Sequence, residues 1–376
     1  MEREVLFEAC NHVGVVTLNR PAALNALSYA MVREMYTHLQ EWARDASIYA
    51  VVVKGAGNKA FCAGGDVRAV HASFTSSGSM HREFFASEYR LDHFIHRYPK
   101  PYVALMDGIV MGGGMGIAQG ASLRVVTDRT RMAMPEVGIG FFPDVGASYF
   151  LSRLPRALGV YLGLSGTTVG GADALYAGLA DLCLPHEALD GLDTALAALR
   201  WGLDHATDIH GAVRALGPVS SPEPTLAGLR AAIDEHFAHS DIRTIMESLR
   251  AESRPAYTEW AGHTLGTMAK RSPLMMAVTA RQLERGRGMS LPDCFRMELA
   301  MLRHCFEQGD FMEGVRALLV DKDNAPRWNP ARIEDVTEEM IAAFFREPWT
   351  RESHPLADLE AQGAANHLTA RHTIQG

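Results

Sequence analysis

Short runs of β-branched and aliphatic residues alternate with helical periodicity through the first 200 residues, the order expected of an α/β domain. Val13 to Leu18 (VGVVTL) and Ala50 to Lys54 (AVVVK) read as strands, with Met31, Met35, Leu39 and Trp42 forming an apolar helical stripe between them. Tyr102 to Met106 (YVALM) and Leu123 to Thr127 (LRVVT) read as two more strands, separated by a glycine-rich turn that enters a helix. Beyond about residue 200 strand patterns disappear and helical signals run to about residue 345, with Ser272 and Pro273 as an N-cap and N1 pair and Ser290 with Asp293 as a capping-box variant. The chain therefore divides into an α/β core over 1–200, a helical region over 201–345 and a tail over 346–376 with little periodicity, expected to be partly disordered. GPVSSPEP, Gly217 to Pro224, reads as a linker or a loop.

Composition narrows the function classes. The 36 basic and 44 acidic residues give a net charge of −8, which offers no positive excess for a phosphate backbone, so nucleic acid is not an expected partner. Hydrophobic residues make up 47% of the chain, enough for a sizeable core, yet no apolar run reaches a membrane-spanning length of about 18 residues. Cys10, Cys62, Cys183, Cys294 and Cys305 are odd in number and scattered, so a reducing compartment, the cytoplasm, is expected.

Three segments carry candidate chemistry. AFCAGGDV, Ala60 to Val67, follows a strand; its glycine pair lets backbone approach a ligand and offer an N–H to a developing oxyanion, or it is a tight turn in which Asp66 caps the next helix. MGGGMG, Met111 to Gly116, opens a helix, where free N–H groups and the helix dipole suit an anion; close helix packing is the plainer use of such glycines. A dinucleotide fingerprint does not fit, because Gln119 stands where a third glycine would follow Gly114 and Gly116, and there is no P-loop. MPEVGIGFFPDVG, Met134 to Gly146, sets Glu136 and Asp144 in a greasy stretch with Phe141 and Phe142, either as a solvated pair or as acids that a site uses. Met111, Met115 and the two phenylalanines read as pocket lining or core. His236 and His239 form H-x-x-H with no third ligand nearby, so no metal is expected. Together, two glycine turns and an acidic loop supply the parts for chemistry at an acyl carbonyl.

The order of LNRPAALNAL (Leu18 to Leu27), AFCAGGDV, GIVMGGGMG and MPEVGIGFFPDVG resembles the crotonase superfamily of coenzyme A thioester enzymes. KPYVAL (Lys100 to Leu105), the FPDVG of the acid loop and DFMEGVRALLVDKDNAPRW (Asp310 to Trp328) narrow the resemblance to its 3-hydroxyisobutyryl-CoA hydrolase branch. The resemblance implies a β-β-α spiral core followed by a helical region, and an oxyanion hole from the N–H groups of Gly65 and Gly113. It implies Glu136 as the principal catalytic carboxylate, attacking the carbonyl or deprotonating water, and Asp144 as the second acid. Glu88, in SEYRL, matches an acidic substrate-site position, and Ala23, Leu24 and Ala63 match loops along which coenzyme A lies. Hydratases of the superfamily carry a glutamate where this chain has Gly116, and usually glycine where it has Asp144, so the resemblance implies thioester hydrolysis rather than hydration. Hydration or isomerisation of another acyl-CoA, and non-catalytic acyl-CoA binding, are the alternatives. Coenzyme A enters as part of the substrate, with no separate cofactor; a homo-oligomer is compatible with the family.

Overall fold

The computed structural model describes residues 3–155, 157–218 and 223–359; half of the linker segment, residues 219–222, and the tail beyond 359 lie outside the described residues. Six strands form the larger sheet in the order β1-β2-β3-β5-β7-β9: β1 Val5–Cys10, β2 Val13–Leu18, β3 Ala50–Gly55, β5 Tyr102–Met106, β7 Leu123–Thr127 and β9 Leu182–Leu184. Only the β1–β2 hairpin is antiparallel, its turn made by Asn11 and His12, both at positive φ. Three strands of three residues each, β4 Ala60–Cys62, β6 Ile109–Met111 and β8 Arg131–Ala133, form a second parallel sheet in the order β4-β6-β8.

The chain alternates between the two sheets. β3, β5 and β7 each turn into a short strand, and the chain then crosses back to the next strand of the larger sheet, which is the β-β-α spiral expected from the resemblance. Helices α1 Tyr29–Arg44, α2 Val67–Thr75, α3 Met80–His96, α4 Gly113–Gln119 and the single turn α5 Ala147–Phe150 belong to this core. The apolar stripe expected on α1 is buried at Met31, Val32, Met35 and Leu39, with Trp42 partly buried beside it. The glycine-rich turn after YVALM does not lead directly into α4, because β6 intervenes.

After β9 the described chain is helical. Ser272 caps helix Pro273–Gly286 by accepting from the Met275 N–H, and Ser290 caps helix Leu291–Gln308 by accepting from the Asp293 N–H, as their spacing predicts. These two helices pack on α5, so the helical region shares one apolar core with the sheet face that carries α1 and α3. Residues 351–359 also join it: Leu356 is fully buried, Arg296 donates to its carbonyl, and Arg90 pairs with Asp358.

Candidate active site

The three short strands determine where the chemistry-bearing segments meet. Parallel neighbours lie about 4.8 Å apart; β6 and β8 pair in register, Ile109 with Arg131 through Met111 with Ala133, while β4 pairs with β6 through a shift between Ala60 and Cys62. Each strand ends in a candidate segment: β4 runs into Gly64 and Gly65, β6 into Gly112 and Gly113, and β8 into Pro135 and Glu136. Three successive turns of the spiral thus place Gly65, Gly113 and Glu136 side by side.

Gly65 and Gly113 are adjacent: a Cβ built on Gly113 would lie 3.2 Å from the Gly65 nitrogen and would overlap Glu88 Oε1. The Leu27–Gly65 bridge uses the Gly64 carbonyl and the Asp66 N–H, so the N–H of Gly65 points away from Leu27. Gly113 is the first residue of α4, where an N–H has no partner within its helix. Gly112 has φ 47° and ψ −119°, a conformation closed to residues with a side chain, and a Cβ there would lie 2.8 Å from Glu136 Oε1. Asp66 also caps α2 by accepting from the Ala69 N–H, as the tight-turn reading of the first glycine segment expects.

Four carboxyls gather behind the two amides. Glu136, Asp144 and Glu88 are 7%, 4% and 2% exposed, and Asp92, one helical turn after Glu88, is fully enclosed. Tyr89 donates to Asp144 Oδ2 at 2.7 Å, while Glu88 Oε1, Glu136 Oε2 and both oxygens of Asp92 have no hydrogen-bond partner. Burial pushes all four groups up. Asp144 rises to about 7 against the opposing Tyr89 hydrogen bond, Glu136 is raised further by the Asp144 charge, and Glu88 by Asp144 and Glu136. Asp92 is raised by its enclosure and then by Glu88.

The helical region holds the second acid in place. Val145 and Gly146 both have positive φ, turning the chain sharply after Asp144. Glu298, wholly buried in helix Leu291–Gln308, accepts from the Gly146 N–H at 2.8 Å and the Ser148 N–H at 2.9 Å. Gln282 donates to the Pro143 carbonyl at 2.6 Å and to Ser148 Oγ at 2.8 Å. Sequence reading singled out none of Tyr89, Asp92, Gln282 or Glu298; the spacing of four between Glu88 and Asp92 was the available signal for one of them.

Ala23, Leu24 and Ala63 lie together on the outer side. The Ala63 N–H donates to the Leu24 carbonyl at 3.0 Å; Ala23 is exposed, and Leu24, Ala63 and Gly65 are half-buried. Exposure therefore falls from Ala23 through Leu24, Ala63 and Gly65 to the buried acids. Met115, Phe141 and Phe142 are core residues. His236 does not join His239: its ring nitrogens meet Ser248 Oγ at 2.6 Å and Glu252 Oε2 at 2.9 Å.

The buried acids have a consequence for stability. A carboxyl that titrates near 7 when folded and near 4 when unfolded binds its proton more tightly in the native state, so stability is greatest in acid and falls as pH rises through that interval. Asp144→Asn removes one such group. It is expected to melt several degrees above the parent at about pH 8 and close to it at about pH 4, as thermal unfolding across pH will register. A parent curve equally steep in the variant would rule out this origin.

Residues 13–345 match the family described as enoyl-CoA hydratase/isomerase. Mitochondrial 3-hydroxyisobutyryl-CoA hydrolase from Danio rerio is 40% identical over 344 residues, covering 91% of this chain and 89% of that protein. The Homo sapiens protein of the same name is 37% identical over 350 residues, covering 91% and 88%. Among solved structures, a carnitinyl-CoA dehydratase from Mycobacterium thermoresistibile superposes with a TM-score of 0.84 at 42% identity, covering 92% of this chain and 97% of that one. An enoyl-CoA hydratase from Rhodobacter sphaeroides 2.4.1 gives 0.83 at 35% identity, covering 92% and 98%.

Proposed function

Because the chain belongs to the enoyl-CoA hydratase/isomerase family, we propose that it hydrolyses the thioester of 3-hydroxyisobutyryl-CoA to free coenzyme A and the hydroxy acid. The observation that carries this reading is the adjacency of the Gly65 and Gly113 amides to a carboxyl cluster that includes both Glu136 and Asp144. Coenzyme A lies along Ala23, Leu24 and Ala63, and the acyl group reaches inward past Gly65. The two N–H groups take the carbonyl oxygen and stabilise the negative charge that grows on it as the tetrahedral state forms.

Glu136 drives the attack. As nucleophile it forms a mixed anhydride and expels the thiol, and water then cleaves the anhydride; as general base it takes a proton from water that adds directly to the carbonyl. Label left on Glu136 after a single turnover in heavy-oxygen water identifies the anhydride route with water attacking the Glu136 carbonyl carbon, since the general-base route puts the label into the hydroxy acid alone. Asp144, oriented by Tyr89, hydrogen-bonds the substrate's 3-hydroxyl or orients the water, and Glu88 lines the same acyl pocket. The hydroxyacyl identity rests on the similarity to the 3-hydroxyisobutyryl-CoA hydrolases; under this reading the reaction belongs to valine breakdown. Five unpaired cysteines, four of them buried, support a reducing compartment. No helix of the described residues is long and apolar enough to cross a membrane.

Hydration is the second reading, favoured by the names of the two similar solved structures. Against it, a Cβ at Gly116 would lie 2.6 Å from Asp92 Oδ2 and 2.8 Å from Val145 Cβ, so α4 carries no acid there and has no room for one. Thiol release from 3-hydroxyisobutyryl-CoA, measured beside the loss of enoyl absorbance from crotonyl-CoA, decides between them. Release without enoyl loss is expected; enoyl loss without release would replace hydrolysis by hydration.

A further inference from the structure

Helices α3 and α4 meet through two acids and two glycines. Glu88 lies against Gly113, and Asp92, one turn later on α3, lies against Gly116, one turn later on α4; a Cβ on either glycine would run into the facing carboxyl. The absent side chains are thus the room that the acids occupy. Residues four apart on a helix stand about 5–6 Å apart on one face, so the two carboxyls share a single crevice.

Of the four carboxyls, Asp92 is the one with both oxygens buried and unpartnered. It is fully enclosed, and neither oxygen meets a donor. The titratable groups around it are Glu88, Asp144 and Glu298, with the Cys62 thiol and the Tyr102 hydroxyl on the strands beside it. Enclosure and that acidic company favour the protonated form of Asp92, and a protonated carboxyl is a donor. Among the acids, Asp144 already takes the Tyr89 hydroxyl and Glu298 the two loop amides, which leaves Glu88 Oε1, buried and unpartnered, as the acceptor.

We propose that Asp92 is a positioning residue for recognition of the substrate's 3-hydroxyl: as a neutral acid it donates a hydrogen bond to Glu88 Oε1 and so turns Glu88 Oε2 toward that hydroxyl. The inference rests on the reading above in which Glu88 lines the acyl pocket. Asp92 touches no reacting atom and acts through Glu88 alone. Asparagine at 92 keeps a neutral donor of the same shape; alanine removes it.

The test compares kcat/KM for 3-hydroxyisobutyryl-CoA with that for isobutyryl-CoA, which lacks the hydroxyl, in the parent, Asp92→Asn and Asp92→Ala. The preference for the hydroxylated substrate is expected to stay within about threefold of the parent in Asp92→Asn and to fall about tenfold or more in Asp92→Ala. An unchanged preference in Asp92→Ala, or equal losses on both substrates, overturns the proposal, since a purely structural role lowers both together. The infrared difference spectrum between parent and Asp92→Asn at neutral pH gives an independent measure that holds even if Asp92→Ala does not fold. It is expected to show the carbonyl stretch of a protonated carboxyl in the parent alone, and its absence likewise overturns the proposal. A parent enzyme that releases no thiol from 3-hydroxyisobutyryl-CoA would instead remove the hydrolase reading, and this inference with it.

Discussion

Glu136→Gln is expected to lower kcat/KM for thiol release about a thousandfold while leaving the affinity for the thioester within a few-fold of the parent. The amide matches the carboxyl in shape, so the contact with Gly112 and the turn from Pro135 to Gly140 persist. What disappears is the group that attacks the carbonyl or accepts water's proton, and such groups contribute roughly 10²- to 10⁴-fold. Steady-state kinetics with calorimetric titration of the thioester checks both parts; a loss below about tenfold would remove Glu136 from the chemical step.

Gly113→Ala is the second large expected effect, on the order of 10²- to 10³-fold in kcat. The added methyl would overlap Glu88 Oε1 and stand 3.2 Å from the Gly65 nitrogen, so it intrudes on both amides. Losing one oxyanion donor costs about 2.7–4 kcal/mol in the transition state. Backbone strain is not the cause, since Gly113 is not among the residues with positive φ. Gly266→Ala supplies the control: a Cβ there meets nothing within 4 Å, on the open side of helix Thr258–Met268, so activity is expected to be unchanged. Comparable losses in the two variants, each matched for melting temperature, would argue against an oxyanion hole at Gly113.

Four strands of the larger sheet were legible because buried parallel strands are continuous aliphatic runs; VGVVTL, YVALM and LRVVT coincide with β2, β5 and β7, and AVVVK falls within β3, whereas the edge strands β1 and β9 were not read. AFC, IVM and RMA were not, since three residues display no periodicity, and with them the whole second sheet was hidden. The candidate segments were nonetheless visible through their glycines and acids. Their convergence was not, because it depends on the register of those three strands. Glu298 illustrates a different gap: it is a lone acid in the buried stripe of FRMELAML, and only the amides of Gly146 and Ser148, about 150 positions earlier in the chain, show what it satisfies. Asp92 was hidden by Gly116, since an absent side chain does not announce which neighbour fills its place.

The clamp formed by Gln282 and Glu298 has a consequence for synthesis. Both sheets leave the ribosome long before helix Leu291–Gln308 does, so a nascent chain with its strands complete still has two loop amides and a proline carbonyl awaiting partners. A premature stop codon anywhere upstream of residue 298 would therefore abolish activity even where the truncated product stayed folded.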